Sequence, residues 1–541
     1  MTLSSGGEAI VHSLVAHGVD TVFGLPGAQI YGLFDAFQQA QLRVIGARHE
    51  QACGYMAFGY ARSTGRPGVF SVVPGPGVLN AAAALLTAFG SNEPVLCLTG
   101  QVPRAFLGKG RGHLHEMPDQ LATLRTFVKW ADRIEYPDLA PVAVSRAFQE
   151  MMSGRRGPAS LEMSWDVFTE RAEVGPAKVF DLFPAPQPDP DRIESAAALI
   201  AASKTPMIFV GSGAIHARNE ILELAELIDA PVVAFRSGRG IVSNAHELGL
   251  TMAAAYRLWP KTDLMIGIGT RLELPTMTRW PYRPDGLKCV RIDIDPAEMR
   301  RYPSDAAVIS DAKAGATELL AAVRKRGYKK SSGRRTAIRE ASAAALKEIE
   351  QIQPQMAYLN ILREVLPGNA IVTDELSQVG FASWYGFPIY EPRTFITSGY
   401  QGTLGSGFPT ALGVKVAHPD RPVVAITGDG GFMFAVQELA TAVQFNIAVV
   451  VLVFNNNAYG NVRRDQRERF EGRVVAADLV NPDFVRLAES FGVGAVRVTS
   501  PEGFRPALEN ALADGGPYLI DIEVPRDSEV SPWAFIHPAR P

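Results

Sequence analysis

The sequence predicts an α/β fold of three consecutive doubly wound domains, each with a mainly parallel sheet wrapped by helices. Three observations lead to this prediction. The chain has 541 residues, and at roughly 100 to 200 residues per domain this length suggests about three domains. Short apolar runs that end in glycine or acid alternate with helical stretches, as in a parallel sheet with helical crossovers. This alternation occurs in three separate blocks along the chain.

The first block predicts an N-terminal domain over residues 1–180. Its strand-like runs are, in chain order, TVFGLPG, LRVIGARHE, GVFSVVPGPG and PVLCLTGQ. The segment PAPQPDPD, residues 184–191, follows this block. Its prolines and aspartates predict a linker without regular structure.

The second and third blocks predict a central domain over residues 190–325 and a C-terminal domain over residues 350–541. Between them lies RKRGYKKSSGRR, residues 324–335, which we interpret as a solvated basic connector and not as a nucleic-acid site. The strand-like runs of the two blocks are PMIFVGSGAIH, APVVAFRSGRG, DLMIGIGTRLE and CVRIDIDP, then NAIVTDE, RPVVAITGDG, IAVVVLVFNNN and PYLIDIEVP.

Composition and charge favour an enzyme that acts on small molecules. Hydrophobic residues make up 47% of the chain and charged residues 20%, which is ordinary for a soluble globular protein. The 53 basic and 56 acidic side chains leave a net charge of -3, so no broad positive surface is available for nucleic acid. No apolar run reaches the ~18 residues of a membrane span, and the N-terminus lacks the features of a signal peptide. We therefore expect a cytoplasmic protein without nucleic-acid or membrane partners.

The three cysteines, Cys53, Cys97 and Cys289, lie far apart in the sequence. They match neither the spacing of a metal site nor a disulfide pattern, which suits the reducing cytosol. We expect all three to be buried small side chains.

A candidate metal site lies where two strands of the third block end. The strand RPVVAIT is followed by Asp429, and the fully apolar strand IAVVVLVF is followed by an asparagine run that includes Asn456, 27 residues beyond Asp429. This is about one helical crossover, so parallel strands bring both side chains to the same edge of the sheet. A carboxylate, an amide oxygen and a backbone carbonyl form a hard oxygen set suited to Mg²⁺. Glycines beside Asp429 allow backbone amides to approach a diphosphate, although Gly-Asp-Gly as a simple tight turn is the alternative.

The GDG motif with NN one crossover later resembles the diphosphate motif of the thiamine diphosphate enzymes of the acetolactate synthase, benzoylformate decarboxylase and benzaldehyde lyase superfamily. The resemblance extends over almost the whole chain. It implies thiamine diphosphate and Mg²⁺ as cofactors, with the metal bound by the side chains of Asp429 and Asn456 and the backbone carbonyl of Ala458. By the same resemblance Gly430 and Gly431 lie along the diphosphate, and Gly428 and Tyr459 are further cofactor-binding positions.

Glu50 is the activating acid that this resemblance implies. The family supplies a glutamate beside the aminopyrimidine ring at the end of an N-terminal strand, and the matching stretch here is ARHEQACGYMAFGYAR, residues 47–62. A carboxyl group in an apolar pocket has a raised pKa and can share its proton with a ring nitrogen, which favours the imino tautomer that removes the thiazolium C2 proton. The alternative is a glutamate that only interacts with the dipole of the helix it begins.

A third match, SGYQGTLGSGFPTALG at residues 398–413, corresponds to the family's segment under the cofactor. By this match the carbonyl of Gly402 accepts from the aminopyrimidine amine, and Leu404 wedges between the two rings. Leu404 could otherwise be an ordinary core residue, but its glycine-rich surroundings are unusual for a core helix.

The family's substrate positions correspond to Gln29, His113 and His115. A histidine at position 115, where acetolactate synthases and benzaldehyde lyase carry glutamine, can move protons near neutral pH, and a surface role is the alternative. Asp465, in GNVRRDQ, takes the place of a tryptophan found in acetolactate synthases that prefer 2-oxobutanoate. The lost apolar contact, worth ~1.5 to 3 kcal/mol on burial, predicts a differently shaped acceptor pocket and weakens an assignment to branched-chain biosynthesis.

These matches predict a thiamine diphosphate-dependent carboligase or lyase that acts on 2-oxo acids, aldehydes and acyloins, with acetolactate synthase-like chemistry. A 2-oxo acid decarboxylase or a benzaldehyde lyase-like carboligase is the alternative. Because Glu50 and Asp429 lie in different domains, the resemblance implies an active site between the subunits of a homodimer or homotetramer.

The central domain raises the question of FAD, which several relatives hold there. VGSGAIHAR and GIGTRLE resemble nucleotide-contacting segments, and Asp293 and Asp295 follow a strand as in those relatives. FAD, an ADP-like group and a purely structural domain all remain open. A nicotinamide dehydrogenase would need GxGxxG after a first strand, and no segment provides it.

Overall fold

The strand-like runs of the three blocks form three separate sheets, each of six parallel strands. The computed structural model describes residues 1–276, 280 and 282–533. Strands such as GVFSV, VLCLTGQ and VVLVFN are buried along their whole length, because helices cover both faces of a parallel sheet. This arrangement confirms the predicted α/β class with three consecutive doubly wound domains.

The N-terminal sheet has the strand order β3-β2-β4-β5-β7-β6 when its elements are numbered along the chain. A short antiparallel pair of β1 and β8 lies beside it. The chain adds β3 on one side of β2 and β4 on the other, so the strand order reverses between β2 and β4. Such a switch point is where α/β sheets bind ligands. The elements are β1 (Thr2–Ser5), α1 (Gly6–Ala16), β2 (Thr21–Gly24), α2 (Tyr31–Gln39), β3 (Arg43–Gly46), α3 (Glu50–Thr64), β4 (Gly68–Val72), α4 (Pro76–Ser91), β5 (Val95–Gln101), α5 (Gln120–Leu124), β6 (Trp130–Ile134), α6 (Ala140–Met152), β7 (Ala159–Ser164), α7 (Trp165–Thr169) and β8 (Arg171–Val174).

The central sheet has the strand order β11-β10-β9-β12-β13-β14, with its switch point between β9 and β12. Its elements are α8 (Pro190–Ala202), β9 (Pro206–Val210), α9 (Arg218–Ile228), β10 (Val232–Val233), β11 (Gly249–Leu250), α10 (Met252–Leu258), β12 (Leu264–Ile268), α11 (Glu273–Thr276), β13 (Lys288–Asp293), β14 (Ala306–Ile309) and α12 (Ala312–Arg326). Helix α13 (Arg334–Ile349) leads to the third domain.

The C-terminal sheet has the strand order β16-β15-β17-β18-β20-β19, and its switch point lies between β15 and β17. Its elements are α14 (Gln355–Val365), β15 (Ile371–Thr373), α15 (Gln378–Gly386), β16 (Phe395–Ile396), α16 (Gly407–Ala417), β17 (Val423–Gly428), α17 (Asp429–Phe432), α18 (Glu438–Gln444), β18 (Val450–Asn455), α19 (Gly460–Arg469), α20 (Phe484–Ser490), β19 (Gly494–Val498), α21 (Pro501–Asp514) and β20 (Tyr518–Glu523).

Three local expectations need correction. The predicted linker 184–191 is wrong at its end, because α8 begins at Pro190, where proline suits a first helical turn and the Asp189 carboxylate caps it. The run APVVAFRSGRG yields only two residues of strand, because the segment after it packs on the third domain, where the buried Arg239 donates to the carbonyls of Ser383 in α15 and of Phe387 directly after it. The connector 324–335 is not solvated throughout, since Arg334 is buried and donates to the Pro206 carbonyl.

The N-terminal and C-terminal domains pack against each other through α3 and α16. A Cβ placed at Gly59 would overlap the Thr410 carbonyl oxygen, and one at Gly413 would overlap that of Met56, so the helices meet backbone to backbone. The same contact joins the two domains in one apolar core that includes Phe23 of the first and Phe408 of the third. The two domains therefore form a single packed unit within the chain.

The predicted burial of Cys53, Cys97 and Cys289 is confirmed, and all three thiols are free. Across the part of the chain that the structure describes, no helix combines the length and the apolar character that crossing a bilayer requires.

Candidate active site

The carboxylate of Asp429 lies at the end of β17, next to the switch point of the C-terminal sheet. It is 2% exposed, and burial raises its pKa. Its Oδ2 accepts from the side-chain amide of Asn481 at 2.7 Å and from the backbone amide of Ala458 at 3.2 Å. The crossover from β17 to β18 thus brings Asp429 and Ala458 into direct contact. A buried carboxylate with only neutral donors around it is a favourable place for a cation.

The amide of Asn456, directly after β18, presents a free acceptor at the same edge. Its Nδ2 donates to Glu529 at 2.7 Å, while its Oδ1 is buried and has no hydrogen-bond partner among the described residues. A buried polar atom without a partner is unusual and calls for an explanation. An oxygen-binding ion such as Mg²⁺ supplies one, because amide and carboxylate oxygens are its usual protein ligands. The donor set of Asp429, Asn456 and the Ala458 carbonyl therefore fits the metal.

The glycines after Asp429 leave a cradle of bare backbone. A Cβ at Gly430 would lie 2.5 Å from the Tyr459 ring, and one at Gly431 would overlap the carboxyl oxygen of Glu375. A side chain is therefore excluded at both positions, and the turn keeps a bare backbone. Among the described residues no cluster of three His, Cys, Asp or Glu side chains could bind a metal ion, so a metal site here depends on amide and carbonyl oxygens.

The segment 402–407 lies beside this cradle. Gly402 and Gly405 have φ angles of 57° and 77°, in the left-handed region that favours glycine. Leu404 between them is half-buried and does not belong to the buried core of the described residues, which argues against an ordinary core role. The segment thus presents an apolar side chain next to the glycine turn.

Glu50 begins α3 in the N-terminal domain, as its position after β3 predicts. It is half-buried, and its Oε2 accepts from the Asn80 amide of α4 at 3.0 Å. Among the described residues no hydrogen bond joins Glu50 to Asp429 or Asn456 of the same chain. We refer to the N-terminal acid and the C-terminal oxygen site, which lie in different domains, as the two half-sites.

Gln29 and His115 form a pair close to the N-terminal switch point. The His115 Nδ1 lies 3.1 Å from the Gln29 Oε1, and the Gln29 Nε2 donates to the Leu114 carbonyl at 2.9 Å. Because a carbonyl oxygen only accepts, this contact places the proton on Nδ1 and leaves Nε2 as the basic atom. His113 stands apart from the pair, with its ring 4.2 Å from that of Phe106.

Four residues of these half-sites were not predicted from the sequence: Glu375, Asn481, Glu529 and Asn80. Glu375 follows β15 as Asp429 follows β17, so the rule that acids at strand ends share one edge could have found it. Asn481 and Glu529 lie 52 and 73 residues from the groups that they contact, and no local signal marks either of them. Asn80 in α4 likewise carries no motif.

The central domain contains a cavity of about 470 Å³ at the carboxyl ends of β9, β12 and β13. Asp293 lines it, and burial raises the pKa of this carboxyl group to about 6. Arg155 reaches the same region and pairs with Asp295 at 3.3 Å and Glu298 at 2.9 Å. The arginines that line the cavity are Arg62, Arg155, Arg156, Arg271 and Arg393.

Three doubly wound domains with buried polar side chains at a switch point are typical of an enzyme that binds its ligand at the carboxyl ends of parallel strands. Three family models match the chain in order. They are the N-terminal TPP binding domain of thiamine pyrophosphate enzymes over residues 4–123, their central domain over residues 193–319 and their C-terminal TPP binding domain over residues 376–522. The chain belongs to the thiamine pyrophosphate enzymes, which confirms the family resemblance.

Curated relatives are similar over nearly their full length. A protein named probable acetolactate synthase large subunit, from Methanocaldococcus jannaschii, is 35% identical over 96% of this chain and 92% of its own. A probable 2-ketoarginine decarboxylase, AruI, from Pseudomonas aeruginosa is 31% identical over 96% and 94%. Acetolactate synthase isozyme 1 large subunit from Escherichia coli is 29% identical over 98% and 95%.

Proposed function

We propose that this chain is a thiamine diphosphate- and Mg²⁺-dependent carboligase or lyase that acts on 2-oxo acids, aldehydes and acyloins, with acetolactate synthase-like chemistry. The observation that carries the proposal is the pair of buried acceptors at adjacent strand ends, the Asp429 carboxylate and the unpartnered Asn456 Oδ1, beside a glycine cradle. When bound, thiamine diphosphate supplies a nucleophilic C2 that adds to a carbonyl carbon.

The residues of the chain divide the work between binding and proton transfer. Asp429, Asn456 and the Ala458 carbonyl hold the metal, and the backbone of Gly430 and Gly431 holds the diphosphate. Glu50 keeps a proton available to a ring nitrogen of the cofactor.

His115 is the candidate for proton exchange with the substrate oxygen. Its Nδ1 is engaged by Gln29, and this contact leaves Nε2 free to accept or give a proton.

A substrate assay tests this proposal. The purified protein, loaded with thiamine diphosphate and Mg²⁺, is incubated in turn with pyruvate, glyoxylate, benzoylformate, benzoin and formaldehyde. For at least one donor we expect release of CO2 together with formation of a new carbon–carbon bond. Gas analysis measures the CO2, and chromatography detects the acyloin products. If no donor is consumed, either with release of CO2 or with formation of a new carbon–carbon bond, the assignment as an enzyme is wrong.

A 2-oxo acid decarboxylase is the second candidate. Asp465 pairs with Arg464 at 2.7 Å, so the position is charged and does not form an apolar wall of an acceptor pocket. The relative named as a probable 2-ketoarginine decarboxylase supports the same candidate. Release of an aldehyde without acyloin, even when an acceptor is present in excess, would favour it over the carboligase.

We also propose that each active site forms between two chains of a homodimer, with a homotetramer as the larger alternative. Apolar side chains are exposed next to the Gln29–His115 pair and next to Asp429, which is typical of a surface covered by a partner. Tyr31 and Leu114 near the Gln29–His115 pair are 60% and 59% exposed, and Phe434 near Asp429 is 51% exposed.

Subunit complementation tests this arrangement. We expect the Glu50→Gln and Asp429→Ala chains each to be inactive when expressed alone. If the half-sites come from different chains, a mixed dimer carries one intact site, and co-expression restores about a quarter of the wild-type activity. Co-expressed chains that form mixed dimers yet stay inactive would place the whole site within one chain. The mass in solution, measured by light scattering, separates dimer from tetramer.

The arginine-rich cavity of the central domain supports a further proposal, that it binds FAD or an ADP-like nucleotide. Several arginines in one crevice suit a diphosphate, and the Asp293 carboxyl group suits a ribose hydroxyl. Absorbance of the purified protein near 450 nm would reveal a flavin, and calorimetric titration with ADP would reveal a nucleotide site. If neither is found, the domain has a structural role only.

A further inference from the structure

Glu375 is a buried carboxyl group at the C-terminal switch point that the proposed chemistry does not use. It follows β15 by two residues, and β15 is the sheet neighbour of β17, which leads into Asp429. The residue is 2% exposed, and burial raises the pKa of its carboxyl group to about 7. A carboxyl group in such a position needs partners, because burial without hydrogen bonds is costly.

Its partners are backbone amides of the segment that carries Leu404. The Gly405 amide donates to Oε1, and the Gly407 amide donates to Oε2 at 3.3 Å. The Gly405 amide directly follows Leu404, and the Gly407 amide lies at the first residue of α16. Both oxygens of one side chain therefore fix the backbone that directly follows Leu404.

The same carboxyl group also touches the turn after Asp429. A Cβ at Gly431 would overlap its Oε1, and a Cβ at Gly407 would lie 3.1 Å from its Oε2. On its other side, a Cβ at Gly380 would overlap the Glu375 backbone carbonyl. Glu375 thus fills the space between the Leu404 segment and the glycine cradle, and glycine is the residue that allows this approach at each contact.

We propose that Glu375 is a positioning residue, which holds the Leu404 segment at a fixed place relative to the Asp429 turn so that the two parts of the cofactor site act as one. The inference rests on the proposed function, because the ligand that both parts would contact is thiamine diphosphate. The residue acts through the backbone of Gly405 and Gly407 and is not itself assigned to proton transfer.

The chemistry of the side chain explains why a carboxyl group is needed. Above its pKa the Glu375 carboxylate accepts at both oxygens, which matches two donating amides. Glutamine offers one acceptor oxygen and turns an NH2 group towards the second amide, so one hydrogen bond is replaced by a donor–donor contact. Aspartate keeps both acceptors but is one methylene shorter. The two substitutions therefore separate hydrogen bonding from reach.

The test compares Glu375→Gln and Glu375→Asp with the wild type. Dissociation constants for thiamine diphosphate at saturating Mg²⁺ are measured by calorimetry, and near-ultraviolet circular dichroism reports the tautomer and ring geometry of the bound cofactor. We expect Glu375→Gln to bind the cofactor about 10- to 100-fold more weakly, which is the loss typical of a buried hydrogen bond to a carboxyl group. The circular dichroism band of the bound cofactor should also be lost. Glu375→Asp should recover part of both signals.

Asp263→Asn is the matched control. The Asp263 carboxylate also accepts from two backbone amides, those of Lys204 at 2.7 Å and Thr205 at 3.0 Å, but it lies in the central domain. This variant should lose thermal stability without a change in cofactor affinity or dichroism. Wild-type affinity and dichroism in folded Glu375→Gln would overturn the inference.

A second measurement applies even when the Glu375 variants do not fold. Hydrogen exchange of the wild-type protein without cofactor should show protected amides at Gly405 and Gly407, and unprotected amides there would also overturn the inference. A wild-type protein that binds no thiamine diphosphate while these amides are protected would instead refute the proposed function. The two failures are therefore distinguishable.

Discussion

Asp429 and Glu375 are carboxyl groups at the ends of neighbouring strands, and both are almost fully removed from water. Their surroundings differ in one respect. The two neutral donors to Asp429 both bind the same oxygen, Oδ2, and come from different parts of the chain. The two donors to Glu375 bind one oxygen each and are backbone amides of a single segment. Burial raises the pKa of each, because it disfavours the charged form. The first arrangement favours a cation nearby, and the second favours a fixed backbone.

Replacing Asp429 by asparagine keeps the size of the side chain and removes its charge. We expect retention of thiamine diphosphate in the presence of Mg²⁺ to weaken by more than about 100-fold, because changes beside a metal ligand already cost 10 to 100-fold. The melting temperature of the metal-free protein should not fall, since a costly buried charge is removed. Calorimetric titration and thermal unfolding measure the two effects.

The control is Asp293→Asn, another buried carboxyl group with a raised pKa at a strand end. It should leave the affinity for thiamine diphosphate unchanged, and Asp429→Asn with normal retention would contradict the ligand assignment.

The raised pKa of Glu375 also makes a prediction about stability and pH. Its ordinary value is 4.5 and its value in the fold is about 7, so the folded protein holds this proton more tightly than the unfolded chain. Stability therefore falls as the pH rises between these two values. Glu375→Gln cannot ionise and should show a smaller decrease in melting temperature between pH 4.5 and pH 7. Asp374, with its pKa also raised to about 7, keeps part of the slope. An unchanged slope would contradict the prediction.

A rule of topology predicted the candidate metal residues from the sequence, whereas the family resemblance predicted Glu50, Gln29, His115 and Leu404. The crossover rule joined Asp429 to the asparagine run, because parallel strands end on one edge. The same rule did not extend to Asn481 and Glu529, since loops of unpredictable path bring them to Asp429 and Asn456. Their positions depend on tertiary packing, which no local pattern encodes.

At the scale of secondary structure, strand and helix identity followed from apolar runs and turn residues, while lengths and ends depended on neighbours. The run RPVVAIT became a buried strand because both its faces are covered. The similar run APVVAF became a strand of two residues because the Arg239 side chain that follows it is bound by another domain. Hydrophobic pattern therefore predicts that an element exists, and contacts between domains decide where it stops.

The helix pair α3 and α16 makes an element-scale prediction. Gly413→Ala should destabilise the protein by about 1 to 3 kcal/mol, because its Cβ would overlap the Met56 carbonyl of a tightly packed helix. Gly503→Ala is the matched helical control, since its Cβ has 3.7 Å to the nearest atom. This control should stabilise the protein by about 0.5 to 1 kcal/mol, because alanine favours the helix. Thermal unfolding compares the two, and equal effects would contradict the packing argument.

At the scale of the whole molecule, Arg62, which forms a buried ion pair within the N-terminal domain, connects all three domains through its hydrogen bonds. Arg62 of α3 pairs with Glu93 at 2.6 Å and donates to the Ser237 carbonyl of the central domain at 2.7 Å. Arg393 of the C-terminal domain donates to the Arg62 carbonyl at 2.8 Å. The fold class and the order of domains were predictable from repeating patterns, but this junction was not, because its members are far apart in the sequence.

Glu93→Gln should destabilise the protein by about 3 to 5 kcal/mol, because it leaves the Arg62 guanidinium buried without its anionic partner. We expect calorimetry of the variant to show more unfolding transitions than the wild type, because its domains unfold separately. Asp20→Asn breaks the exposed pair with Arg66, whose side chains are 59% and 52% exposed, and should cost less than about 1 kcal/mol. Equal losses for the two variants would contradict the proposed junction.

The backbone contact between α3 and α16 also limits how a reactant can enter. Among the described residues, Gly59 and Gly413 bring these helices into backbone contact and the two domains share one core, so a movement of the first domain against the third would have to break that core. If the site forms between two chains as proposed, reactants would enter it through the surface loops or by movement between the subunits, and not by opening of the helix pair. Laboratory evolution for bulkier molecules should accordingly select changes in those loops and leave the helix pair untouched.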